Sequence, residues 1–247
     1  MSVNCLSLLS VNVKGIREKV KRRSIFEWCK CQKADIVFLQ ESHITKEVRK
    51  DFDLDWGEKG FHSYGTNKSR GVSIYFGDPK VQISQVIGEN EGDGRKLLIN
   101  CQIGKTFLTL VNVYAPNNAT ERNTFLINLA KWIDENKQSE SETTLEREVI
   151  VGGDCNSVVN NGMDKKGGRQ TDTGNSSQTL KNFYQSLGLC DIWRERNKTT
   201  RQYTYRDKFH KVSSRLDYWF ISKTIADSVV RCDIRPSIKT DHRAIFL

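Results

Sequence analysis

Short apolar runs that end in an amide or a carboxylate recur along the chain, and no other pattern in it restricts the fold more. Residues 37–39 run into Gln40 and Glu41, residues 110–113 into Tyr114, and residues 149–151 pass through two glycines into Asp154 and Asn156. A final apolar segment follows Thr240, Asp241 and His242. Strand ends on a rigid scaffold can aim such side chains into one shared cleft.

The rest of the pattern fits one α/β domain with much sheet and few, widely spaced helices. Residues 5–13 read as a buried strand, and Val20, Ile25, Trp28 and Cys29 supply the apolar face of a helix after Gly15. Residues 72–76, 81–86, 96–103 and 106–113 are rich in strand formers, with Gly104 and Lys105 turning the last two into a hairpin. A helix is expected over 120–136, with Phe125, Leu129, Trp132 and Ile133 inward and Asn118 or Thr120 as its cap. Residues 138–146 and 160–177 read as loops; a helix with Leu180, Phe183, Tyr184 and Leu187 inward then stops at Gly188. Strands return at 203–206, 215–221, 229–235 and 244–247.

Several chemistries are excluded. No stretch reaches the roughly 20 apolar residues of a membrane-spanning helix, and the first residues lack the pattern of a secretory signal. The expectation is an intracellular protein. Seven cysteines without a CxxC pair make a poor disulfide framework, and with the four histidines they lack zinc-ligand spacing. Gly104-Lys105-Thr106 is no phosphate loop, because Ile99 stands where the first glycine is needed.

Charge points to a polyanion. The net charge is +9, and residues 161–247 carry 17 basic against 9 acidic side chains. The densest basic run spans 194–215, where Arg206, Lys208, Lys211 and Arg215 interleave with Tyr203, Tyr205 and Phe209. A hairpin from 203 to 218 would put residues 207–213 at its tip, with Thr204 and Ser214 beside it, as candidate contacts to the phosphates of a nucleic acid. Lys165 and Arg169 add phosphate contacts of second rank, and Lys19 to Arg23 read as an exposed helix face. The polar residues at the strand ends suit phosphodiester hydrolysis. That reaction needs a hard cation on carboxylates, a carboxylate to align water, and donors for the phosphate oxygens. Glu41 can hold Mg²⁺, Asp154 can activate water, and Asn12, Asn156, Tyr114 and His242 can donate, with Asp217 orienting His242.

In order, Asn12-Val13-Lys14-Gly15, Leu39-Gln40-Glu41, Val113-Tyr114-Ala115-Pro116, Gly153-Asp154-Cys155-Asn156, Ser214-Arg215-Leu216-Asp217 and Asp241-His242 resemble the endonuclease/exonuclease/phosphatase superfamily over nearly the whole chain. The resemblance implies a four-layer sandwich of two packed mixed β-sheets flanked by helices, of the deoxyribonuclease-I-like kind. It also implies Mg²⁺ or Mn²⁺ held by Glu41, with Asn12 and Asp241 close to it. Asp154 and Asn156 would handle the nucleophile and scissile phosphate, Tyr114 would contact the phosphate, and Asp217 would pair with His242. Within the superfamily, Val113-Tyr114-Ala115-Pro116-Asn117, the Asp154-Cys155-Asn156 motif followed by Asp164, and Tyr203-Thr204-Tyr205 are most similar to the apurinic-like endonuclease domain of non-LTR, LINE-type retrotransposons. That likeness implies a single domain, 1–247, of a longer polyprotein, acting in the nucleus. It would nick one strand of double-stranded DNA, leaving a 3′ hydroxyl that primes the reverse transcriptase domain of the same polyprotein. A repair nuclease or phosphoesterase of the superfamily, and a DNA-binding module without catalysis, are the alternatives. Lys14 departs from the acidic residue usual in abasic-site repair enzymes, Cys155 from a common aromatic, and Thr240 from a common serine.

Overall fold

The computed structural model describes residues 5–77, 81–89, 93–137, 147–168, 175–209 and 211–247. The acidic 138–146 segment, part of the 160–177 loop and Arg169 lie outside them. Two six-stranded sheets pack face to face. The first contains β1 (Leu8–Asn12), β2 (Ile36–Gln40), β3 (Phe61–Ser63) and β4 (Val72–Phe76). The second is built on β5 (Gln82–Ile87), β6 (Lys96–Ile103), β7 (Thr106–Tyr114) and β8 (Glu148–Asp154). A two-residue β9 (Lys165–Lys166) stands apart from both. β10 (Leu189–Asp191) joins the second sheet, while β11 (Tyr205–Arg206) and β12 (Ser213–Ser214) pair with β9 as a small third sheet. β13 (Asp217–Ser222) completes the second sheet, and β14 (Asp233–Arg235) and β15 (Ala244–Phe246) complete the first.

Alternation along each strand explains the layers. Side chains of successive residues point to opposite faces. In β2, Ile36 and Phe38 enter the core between the sheets, whereas Val37 and Leu39 face α1 (Lys19–Cys31) and α2 (Arg49–Trp56). In β8, Ile150 enters that core while Val149 and Val151 face α3 (Ala119–Asn136) on the other side. Both faces are covered, so the strands read as continuous apolar runs. The short α4 (Asn161–Asp164), α5 (Asn175–Ser186) and the short α6 (Ile192–Arg196) follow β8 and β10; α5 packs Leu180 and Phe183 into the outer core of the second sheet. The result is four layers, α1 and α2, first sheet, second sheet, α3 and α5.

The predicted strands are present, most of them shortened by a few residues at one end or both, and α3 is capped by Asn118, whose side chain accepts from the backbone N–H groups of Thr120 and Glu121. Two expectations about α1 need correction. Val20 is 66% exposed, and its place in the buried face is taken by Arg22, Phe26 and their neighbours. Arg22 belongs to no exposed face either: its guanidinium donates to Asp55 Oδ2 at 2.8 and 2.6 Å and lies 4.8 Å from the centre of the Phe52 ring. The 160–177 loop also contains structure, namely α4 and β9.

Each six-stranded sheet has one parallel pair, β1 with β2 and β7 with β8. In parallel pairs the carboxyl ends lie together. Asn12 therefore sits beside Gln40, and Tyr114 beside Asp154. The antiparallel β13 begins where β8 ends, which sets Asp217 opposite Asp154. Beneath this edge Gln40 Nε2 donates to Ser10 Oγ at 2.9 Å and across the sandwich to Asn112 Oδ1 at 2.7 Å. Asn112 Nδ2 returns two bonds to the first sheet, at the carbonyls of Leu39 and Ser73.

Candidate active site

Two glycines allow the site to form where it does. A Cβ on Gly152 would stand 2.1 Å from the Trp219 ring, and one on Gly153, whose φ is 135°, would stand 2.1 Å from the Val113 carbonyl oxygen. Glycine thus lets β8 lie close to its neighbours through its last residue, and Asp154 emerges buried at the meeting point of the sheets.

Asn12 ties the sheets together there. Its Nδ2 donates to Glu41 Oε1 at 2.8 Å and to Asp154 Oδ2 at 2.9 Å, while its Oδ1 accepts the backbone N–H of Lys14 at 3.0 Å. The oxygen is occupied and the nitrogen faces the carboxylates. Asn12 thus orients Glu41 and Asp154 through its amide nitrogen, and it stands beside Glu41, as the sequence reading expects of a residue next to the metal. Glu41 and Asp241 keep their carboxylates partly exposed at the mouth, where Lys14 Nζ pairs with Asp241 Oδ2.

Deeper in, His242 Nδ1 donates to Asp217 Oδ2 at 2.9 Å, which leaves Nε2 turned toward Asp154 Oδ2, 3.8 Å away. Burial opposes a charge on this imidazole, but Asp217, through its charge and hydrogen bond, and then Asp154 outweigh it and hold the pKa up at about 9. Burial and the charge of Asp217 raise Asp154 well above the usual carboxylate range, against the pull of His242 and the hydrogen bonds from Asn12 and Asn156. Asp154, Asp217 and His242 are also the tightest set of metal-capable groups among the described residues. The imidazolium already supplies the positive charge between these two carboxylates. An added cation fits better at Glu41.

The remaining predicted catalytic residues border the same space. Asn156 has a φ of 48°, its N–H donates to Asp154 Oδ1 at 2.8 Å, and its side-chain amide is held by the Ala115 carbonyl at 2.8 Å. Tyr114 is buried beside Glu41 and Asp154; burial first and those charges second raise its hydroxyl pKa. The Arg95 guanidinium lies 5.3 Å from the centre of its ring. Arg95 escaped the sequence reading, since a lone arginine before a strand carries no pattern. Tyr205 packs against His242 with ring centroids 5.2 Å apart.

The basic hairpin forms, but its residues divide into two groups. Arg206, Lys208 and Lys211 are exposed around a tip whose Phe209 is 72% exposed, and β12 pairs Lys165 and Lys166 onto the same small sheet. Thr204, Ser214 and Arg215 turn inward and cannot touch a phosphate. Thr204 Oγ1 accepts the backbone N–H groups of Leu216 and Asp217 at 2.9 and 3.1 Å, and Ser214 is buried in its ladder. Arg215 is 1% exposed and bridges Asp164 and Asp191 through bonds of 2.6 to 3.1 Å. Its charge is matched internally, because an unpaired buried guanidinium would cost several kcal/mol, by an estimate of about 3–5.

The chain matches the model of the endonuclease/exonuclease/phosphatase family over residues 1–242. It is 28% identical over 246 residues to the transposon TX1 uncharacterized 149 kDa protein of Xenopus laevis, covering 98% of this chain but only 18% of that protein. It is 24% identical to the exodeoxyribonuclease of Bacillus subtilis, with 98% of each covered. Among solved structures, the AP endonuclease LMAP from Leishmania major superposes with a TM-score of 0.81 at 16% identity, over 98% of this chain and 86% of that one. The fold is the deoxyribonuclease-I-like one, and a family match across the entire site, from Asn12 to His242, makes this chain a member of the endonuclease/exonuclease/phosphatase family.

Proposed function

We propose that the chain is a divalent-metal-dependent endonuclease that nicks one strand of duplex DNA. The observation that carries this reading is the connected line of groups from Glu41 through Asn12 to Asp154, His242 and Asp217, with a basic hairpin beside it. Glu41 and Asp241 offer partly exposed carboxylate oxygens, which fit Mg²⁺ or Mn²⁺. Such an ion would supply positive charge to a phosphate oxygen or to the departing oxygen.

The chain's own residues then divide the reaction. Asp154 aligns a water molecule and takes its proton as the new O–P bond forms, for which its raised pKa suits it. The imidazolium of His242, whose Nε2 lies on the Asp154 side, and the Asn156 amide donate to phosphate oxygens as charge accumulates, and Tyr114 contacts the same group. The P–O3′ bond breaks, the departing oxygen takes up a proton from solvent to give a 3′ hydroxyl opposite a 5′ phosphate, and Asp154 returns its proton to solvent. Arg206, Lys208, Lys211 and Lys165 hold the duplex through its phosphates.

The match to a transposon protein several times longer supports a place within a polyprotein. The 3′ hydroxyl would there prime a reverse transcriptase domain of the same chain, in the nucleus. Conversion of supercoiled plasmid to open circle tests the reading. Nicking is expected with Mg²⁺, and none with EDTA or with His242→Ala or Asp154→Ala. DNA binding without nicking by folded wild type would overturn it in favour of a binding module. The likeness to AP endonuclease structures supports a second reading, an abasic-site nuclease; strong preference for abasic over undamaged duplex would select it.

A further inference from the structure

Lys14 stands where a cation is expected, on a turn fixed from several sides. Its φ of 49° lies in the left-handed region, sparsely populated for residues with a Cβ. Asn12 Oδ1 accepts its N–H, and Lys21 Nζ donates to the carbonyls of Val13 and Lys14 at 2.9 and 2.8 Å. The following Gly15 has a φ of 74°, and a Cβ there would stand 2.6 Å from His43 Nδ1. Its N–H meets the Glu41 carbonyl at 2.6 Å. The backbone that carries Lys14 is therefore locked to the backbone that carries Glu41.

From that turn the ammonium reaches Asp241 Oδ2 at 2.5 Å. Asp241 is its ion-pair partner there. The Lys14 side chain remains 60% exposed, on a flexible four-carbon stem that can swing away. An ammonium and a divalent ion compete for the same hard oxygens.

We propose that Lys14 is a resident counter-cation of the Glu41 and Asp241 lip, which a divalent metal must displace from Asp241 in order to bind. The inference rests on the metal reading given under the proposed function. A displaced ammonium stays at the mouth of the cleft, where an incoming phosphodiester offers it a new partner. Metal and substrate would then favour each other's binding, while the free protein holds metal weakly. A pair that merely tethered the Asp241 segment would act with the opposite sign, because its loss would loosen the site and weaken metal binding.

The test is Mn²⁺ binding to the full chain without DNA, followed by the disappearance of the free-ion electron paramagnetic resonance signal. Lys14→Met should bind Mn²⁺ about five-fold more tightly than wild type, the equivalent of one exposed ion pair. Lys14→Arg should remain within about two-fold of wild type on the same scale. With Asp241→Asn as background, the gain from Lys14→Met should vanish. Equal or weaker binding by a Lys14→Met protein whose melting temperature matches wild type would overturn the proposal and leave the metal reading standing. Failure of wild type, Lys14→Met and Lys14→Arg alike to bind Mn²⁺ would overturn both.

Discussion

At the scale of single residues, the site works by keeping opposite charges close and sheltered. His242 lies between Asp217 and Asp154, and Asn12 lies between Asp154 and Glu41. His242→Ala should lower nicking about 10³-fold, within the usual contribution of a positioned acid or base, with little effect on DNA binding in a gel-shift assay. Thr204→Val removes the hydroxyl that accepts the N–H groups of Leu216 and Asp217. The two N–H groups lose a buried partner, so the variant should melt lower by about 1–3 kcal/mol of stability and lose kcat while KM stays near wild type. Most of the residues that gather at the candidate site were legible as residue types in sequence, because strand ends announce themselves. What the sequence could not convey was direction. Asn12 is recognisable as a site residue, yet only the bond from Lys14 to its oxygen shows that it presents nitrogen to the carboxylates.

At the scale of elements, the third sheet is a bracket for the hairpin. Arg215, at the end of β12, is clamped by Asp164 from α4 and Asp191 at the end of β10, and Arg194 from α6 joins at Asp164. Burial alone would raise the Asp164 pKa, but Arg215 and Arg194 override it and hold the carboxyl below its ordinary 3.8. A depressed folded pKa makes this contribution complete above pH 3.8 and lost as pH falls through the lower folded value. Asp164→Asn cannot titrate, so its melting temperature, lower at neutral pH, should fall less between pH 4 and pH 2 than that of wild type. Arg215→Met leaves the buried Asp191 carboxylate without its arginine and Asp164 with Arg194 alone, and should cost about 3–5 kcal/mol in urea unfolding. By contrast Lys208→Ala with Lys211→Ala touches only exposed side chains. It should leave stability unchanged and lower the salt dependence of DNA affinity by roughly two ion equivalents. The run from 194 to 215 looked uniform in sequence because composition records charge and not whether a side chain turns in or out. Elements of two or three residues, such as β3 and β9, were illegible for a related reason: they are too short to show a period, and the partner of β9, β12, lies more than forty residues on in the chain.

At the scale of the whole molecule, two sheets share one reaction centre. Glu41, Asp241 and His242 follow or precede strands of the first sheet, while Asp154, Asn156, Asp217 and Tyr114 belong to the second. The apolar runs indicated one α/β domain with much sheet, and the four-layer plan came from the family likeness, which the two packed sheets bear out. The cross-links beneath the site were not readable, since Gln40 and Asn112 look like ordinary strand residues until the sheets face each other. Because Asn12 reaches across the joint with bonds under 3 Å, the site is a gauge of how the two halves slide. A shear of one ångström, too small to alter circular dichroism, would break that bridge and misplace Asp154. Under rising pressure or mild denaturant, nicking should therefore disappear before the sheets melt, and the separation between the two midpoints would measure how stiffly one half is registered on the other.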